Sequence, residues 1–142
     1  MSEESQALSV LKLEQFYFDE CVYHRNAEQE ITGEKFQYKY SFTREIAKAD
    51  DQHYKVALRC NVIDPNFNSF ELYVRAVGEF EITSDDAEEK KNLLCRNALT
   101  VLFPMLRSQI ILMTAQVGSP QIVLPIINVA EMFPADKLPG EE

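Results

Sequence analysis

The run VLFPMLRSQIILMTAQVGSPQIVLPIINVAEMF, residues 101–133, decides the fold. From Asn97 to Asn128 the only charged side chain is Arg107. Leu106, Ile110, Met113 and Val117 recur at the spacing of one helix face. Met105, Ile111 and Leu112 spread apolar surface around the rest. A helix that is apolar on most sides is buried on most sides. Two covers are open to it: the core of its own chain, or a second subunit. Pro104 lacks an amide donor and clashes with the preceding turn, so it predicts a break or kink, or the first residue of a second helix. That helix should end at Val117, with Gly118 as a left-handed cap and Pro120 beyond it. PQIVLPII, residues 120–127, then carries two prolines and no charge. Proline cannot donate to a ladder, so the segment is neither helix nor central strand. It reads as an extended apolar stretch, either buried in its own core or forming a wall that other chains touch.

Upstream, a helix should start after Ser84-Asp85-Asp86, with Asp85 and Glu88 at capping-box spacing and acids in the first turn. Before it lie four segments that alternate with period two, as strands with one wet face do. The first runs from about Leu8 to Arg25. Leu11 and Leu13 share one parity and Phe16, Phe18 and Val22 the other, which predicts a bulge near Glu14 and Gln15. The second, from about Lys35 to Thr43, alternates Phe36, Tyr38, Tyr40 and Phe42 with polar residues. The third, His53 to Ile63, puts Tyr54, Val56, Leu58, Cys60 and Val62 on one face. The fourth, Phe70 to Ile82, puts Leu72, Val74, Ala76 and Phe80 on one face, and Glu71, Arg75, Glu79 and Glu81 on the other. The links AKADDQ (47–52) and DPNFNS (64–69) are hairpin-like, and short links join antiparallel neighbours. The fold class is α+β: a four-stranded antiparallel sheet, a long helix kinked at proline, an apolar crossover loop and a short C-terminal helix.

The chain has 142 residues, which suits one domain large enough to bury a core. Residues 1–7 and 135–142 are expected to be flexible ends. The formal net charge is 14 − 23 = −9. That balance argues against nucleic acid and against anionic membrane surfaces. Cys21, Cys60 and Cys95 stand at long spacings, fitting free thiols in a reducing compartment rather than a zinc or redox motif. The N-terminus lacks the basic and apolar regions of a signal peptide, and no apolar run reaches the ~18 residues of a membrane span. A cytoplasmic location is expected. His24 and His53 sit on different strands, with no cysteine or carboxylate at ligand spacing, so solvated histidines are expected. The acids Asp85, Asp86, Glu88 and Glu89 read as a helix start rather than a calcium loop. No phosphate loop and no nucleophile elbow is present, so neither catalysis, cofactor nor metal is expected.

The order of these elements, and several motifs, resemble the SecB family of bacterial protein-export chaperones. Val101–Phe133 is similar to the family's Leu-Phe-Pro helix start, its Gly-x-x-Pro-Gln exit, its apolar crossover loop and its closing Phe. YKVALRCNV (54–62) and FELYVRAVGEFEI (70–82) are similar to its third and fourth strands, and Leu11–Tyr23 to its first. The resemblance implies a homotetramer, a dimer of dimers with helices between sheets. Its interface candidates are Leu72, Val74, Ala76, Leu106, Ile110 and Met113. It also implies ATP-independent holding of unfolded polypeptides or preproteins in grooves, without membrane insertion. Tyr38, Tyr40, Phe42, Ile122, Leu124, Ile126, Met132 and Phe133 are the groove candidates. In the family an acidic sheet face docks the motor SecA, and Glu20 matches one such position. His24 and Tyr73 replace acids there, and Glu71 replaces an apolar residue, so the resemblance does not carry SecA docking over at those positions. The alternatives are a chaperone of a toxin–antitoxin system, with an antitoxin as partner, a solitary SecB-like protein, or a protein holding a small apolar ligand.

Overall fold

Alternating apolar and polar side chains form four strands: β1 (Leu11–Arg25), β2 (Lys39–Lys48), β3 (His53–Ile63) and β4 (Phe70–Ile82). The computed structural model describes residues 10–26, 38–65, 69–115 and 121–133. All pairings are antiparallel, in the order β1-β4-β3-β2. The short links set the β2–β3 and β3–β4 neighbours as expected. β1 crosses to the far side and pairs with β4, so the β1–β2 link must span three strand spacings, roughly 14 Å.

β3 and β4 occupy the expected spans. β2 runs on to Lys48 instead of ending near Thr43. Arg44 interrupts its apolar alternation, yet the strand continues because Arg44 finds a partner above the sheet: its Nη1 donates to the Cys95 carbonyl at 3.1 Å. Residues 35–37 and Leu8 lie outside the described residues. In β1 the register shifts between Leu13 and Gln15, as expected, and again between Phe18 and Glu20, which was not. The second bulge returns Cys21 and Tyr23 to the inner face, opposite Val74 and Leu72, and turns Val22 outward opposite Tyr73.

The helix begins at α1 (Ala87–Asn92), passes through a π-helical turn (Leu93–Asn97) and continues as α2 (Ala98–Thr114). Its cap is Asp86, not Asp85. The Asp86 carboxylate accepts from the amides of Glu88 (2.9 Å) and Glu89 (3.2 Å). Pro104 lies inside α2 and does not break it. Both Pro104 and Thr100, whose carbonyl loses its donor, are exposed, so water can take the freed group. The helix stops at Thr114 rather than Val117, and Val117 and Gly118 lie outside the described residues.

Leu94, Ala98, Leu99, Leu102, Leu106 and Ile110 of this helix pack on the inner face of β3 and β4. The approach is closest at Gly78, where an added Cβ would lie 3.0 Å from Leu102 and 2.6 Å from Phe80. Beyond the helix, 121–128 has no regular structure, and the expected C-terminal helix is a single 3-10 turn, Val129–Glu131, within the described residues.

Candidate functional site

Tyr40, Phe42, Arg44 and Ile46 pair with Val62, Cys60, Leu58 and Val56, so this row of β2 shares the inner face of the sheet. The helix lies over β3 and β4. The edge row is left at its flank, half-buried or exposed. Aromatic rings form a continuous line there. Tyr38 to Tyr40 is 6.4 Å between centroids, Tyr40 to Phe42 is 5.8 Å, and Phe42 to Phe103 of the helix is 5.9 Å. Tilted and edge-on rings at these distances attract weakly and present a broad apolar surface.

The segment after α2 runs alongside this line. It has no ladder, so side chains hold its backbone. The Ile122 amide donates to Thr114 Oγ1 at 2.9 Å, Arg107 Nε donates to the Leu124 carbonyl at 2.7 Å, and the Tyr38 hydroxyl donates to the Val123 carbonyl at 3.1 Å. Residues 121–125 alternate between exposed and buried, and Ile126 then breaks the alternation by facing outward. Ile122 is 1% exposed and Leu124 0%, whereas Val123 is exposed and Ile126 is 93% exposed. Phe103, Pro104, Arg107, Ser108, Ile126 and Ile127 line an open hollow of about 270 Å³. At the far end the Arg44 guanidinium stacks 5.1 Å from the centre of the Phe133 ring, and Met132 is exposed.

Of the groove candidates, Tyr38, Tyr40 and Phe42 therefore form one line, and Ile126, Met132 and Phe133 lie on the facing segment. Ile122 and Leu124 do not face a groove. They are core, because their carbonyl and amide anchors turn their side chains under the segment. The interface candidates Leu72, Val74, Ala76, Leu106 and Ile110 are likewise fully buried within the chain, against one another, and only Met113 is partly exposed. On the outward side of α2, Leu112 is 68% exposed.

The outer face of the sheet carries several ion pairs. Glu20 lies 3.8 Å from Arg59, whose guanidinium sits 4.7 Å from the Tyr73 ring centre. Arg75 pairs with both Asp19 and Glu45, which also lowers the cost of its partial burial. His53 is not a lone solvated histidine, as the sequence suggested. It meets Asp50, Glu14 and Glu81. The Asp50 hydrogen bond first, with Glu14 and Glu81 beside it, holds its pKa above the usual histidine range. One usable signal for this cluster lies in the sequence, the bulge expected at Glu14. Burial pushes the Cys60 thiol up to about 12, and Cys21 is the exposed cysteine. Among the described residues no helix is long and apolar enough to cross a membrane.

The family model described as preprotein translocase subunit SecB matches residues 3–138. The protein-export protein SecB of Anaplasma phagocytophilum is 31% identical over 85 residues, 56% of this chain and 54% of that one. An uncharacterized protein of Methanocaldococcus jannaschii is 34% identical over 62 residues, 44% of this chain and 40% of that one. The chain thus spans about half the length, or less, of the curated relatives it matches. Among solved structures, the Mycobacterium tuberculosis SecB-like chaperone, in complex with a peptide from the HigA1 antitoxin, superposes with a TM-score of 0.67. It covers 87% of this chain and 91% of that one at 13% identity, a likeness of fold. With the strand order, the long helix and the crossover segment in place, a family match across nearly the whole sequence means that this chain belongs to the SecB family.

Proposed function

We propose that this protein is a non-enzymatic, ATP-independent holdase that binds unfolded polypeptides along the groove between β2 and residues 121–133. One observation carries the reading: the aromatic line Tyr38–Tyr40–Phe42–Phe103 faces a segment whose outward residues, Val123, Ile126 and Met132, are exposed and apolar. Unfolded chains offer apolar side chains without fixed sequence, and aromatic rings accept them without directional bonds. Exposed apolar area is costly in water, at ~25 cal/mol per Å². The acidic surface, net −9, keeps such a protein soluble in the cytoplasm.

Assembly into a homotetramer completes the proposal. The outward side of α2, where Leu112 is exposed and Met113 half-buried, would supply the surface for a second copy. Export preproteins are the first client class, in line with the family. An antitoxin peptide is the second, suggested by what the M. tuberculosis protein binds. The outer face around Glu20 pairs its acids with Arg59, Arg75 and Lys55, so client holding rather than SecA docking is the activity assigned.

The test is dilution of a denatured client into buffer with the purified full chain and no nucleotide, followed by light scattering. Suppressed aggregation near one assembly per client supports the reading. Unchanged aggregation at excess protein would sink it. Molar mass in solution above that of a monomer supports assembly, and a stable monomer refutes it.

A further inference from the structure

Three neighbouring strands converge on one spot of the outer sheet face, away from the groove. Glu14 is the extra residue of the first β1 bulge, His53 opens β3, and Glu81 is the register partner of His53 on β4. His53 Nε2 lies 3.3 Å from a Glu14 oxygen and 3.5 Å from a Glu81 oxygen, and the three donor atoms lie within 4.8 Å of one another. The other ring nitrogen, Nδ1, contacts both Asp50 oxygens, at 2.8 and 2.9 Å. Asp50 is itself fixed, because it accepts from the amides of Gln52 and His53, both at 2.8 Å.

We propose that Glu14, His53 and Glu81 bind a first-row divalent cation of zinc type, with Asp50 as the residue that orients the imidazole. A carboxylate on Nδ1 keeps one hydrogen there, so a cation that displaces the proton of Nε2 finds its lone pair beside the two glutamates. Three electron-rich atoms then lie within 4.8 Å of one another. A proton on Nε2 can serve only one of the two glutamates along its bond direction, and the 3.3 and 3.5 Å separations exceed the ~2.7–2.9 Å of a charge-assisted hydrogen bond. The same separations match a metal site. With metal–ligand bonds of about 2.1 Å, the edge of a tetrahedron is roughly 3.4 Å. Three carboxylates around one imidazole also carry more negative charge than one proton balances. A nitrogen and two oxygens suit zinc and its first-row neighbours, while magnesium and calcium prefer oxygen alone. The residues are partly exposed, so the fourth position opens to water. A cation here would staple the edge strand β1 to β4 and β3 at the point where β1 bulges.

The test is calorimetric titration of zinc chloride into the chelator-treated full chain at neutral pH. It uses a Cys21→Ser background, because Cys21 is the exposed thiol. One zinc per chain is expected. His53→Ala should abolish the binding, and Glu14→Gln and Glu81→Gln should each weaken it at least about tenfold. Asp50→Asn should weaken it by ~10- to 100-fold, as loss of an orienting partner does, and His24→Ala should leave it unchanged. X-ray absorption should report a shell of nitrogen and oxygen at about 2.0–2.1 Å. These side chains are surface residues, so circular dichroism should match across the set. Equal zinc binding by the parent and His53→Ala, no zinc binding at all, or a sulfur shell would each overturn the proposal.

Discussion

Replacing Thr114 by Val tests how the segment facing β2 is held. Thr114 is fully buried at the end of α2, and its hydroxyl accepts the Ile122 amide at 2.9 Å while donating to the Ile110 carbonyl at 2.8 Å. Valine keeps the shape and removes the acceptor. The Ile122 amide then stays buried without a partner, at a cost of ~1–3 kcal/mol. For a chain of this length that lowers the melting temperature by roughly 3–10 °C. Because the loss falls on one segment, hydrogen exchange at the Ile122 amide should rise by about 5- to 150-fold, more than at the amides of β3 and β4. Thr114→Ser is the control: it loses a methyl, at about 1 kcal/mol, and keeps the acceptor. Serine should preserve Ile122 protection and valine should not. If both variants melt alike with Ile122 equally protected, the hydroxyl is not the anchor and the account of the segment fails.

Ile126→Ser should leave stability within about 0.5 kcal/mol, since the side chain is exposed, yet weaken client binding in a fluorescence titration. Leu124→Ser should instead destabilise by roughly 3 kcal/mol or more in urea melts, because Leu124 is core. Gly78→Val should destabilise the fold by about 1–3 kcal/mol in urea melts, as its Cβ would press on Phe80 and Leu102; unchanged stability would mean that the helix shifts freely on the sheet. Native thiol titration at mildly alkaline pH should find Cys21 reactive, and Cys60 and Cys95 reactive only after unfolding, because both are buried and Cys60 ionises near 12. Rapid labelling of all three in native conditions would contradict the core described.

Strands with clean alternation could be read directly, as the spans of β3 and β4 attest. The end of β2 could not, because Arg44 breaks the pattern and its partner, the Cys95 carbonyl, lies far along the chain. The second β1 bulge was hidden by Asp19 and Glu20, two polar residues that mark neither face. In the crossover segment Ile122 and Leu124 are buried and Val123 and Ile126 exposed, but all four are apolar. Periodicity therefore could not tell Ile122 and Leu124 from Val123 and Ile126. Thr114 and Arg107 decide that choice through tertiary hydrogen bonds. The His53 cluster joins residues distant in sequence, and only strand register brings them together.

The most direct measurement of the central claim is site-specific crosslinking to an unfolded client. A photoreactive residue is placed at Tyr40, Val123 or Ile126 in the groove, and at Lys55 or Glu79 on the outer face. The account predicts client adducts from the three groove positions, lost when a folded client is used, and little from the outer face. Equal labelling from both faces, or labelling from Lys55 and Glu79 alone, would contradict it.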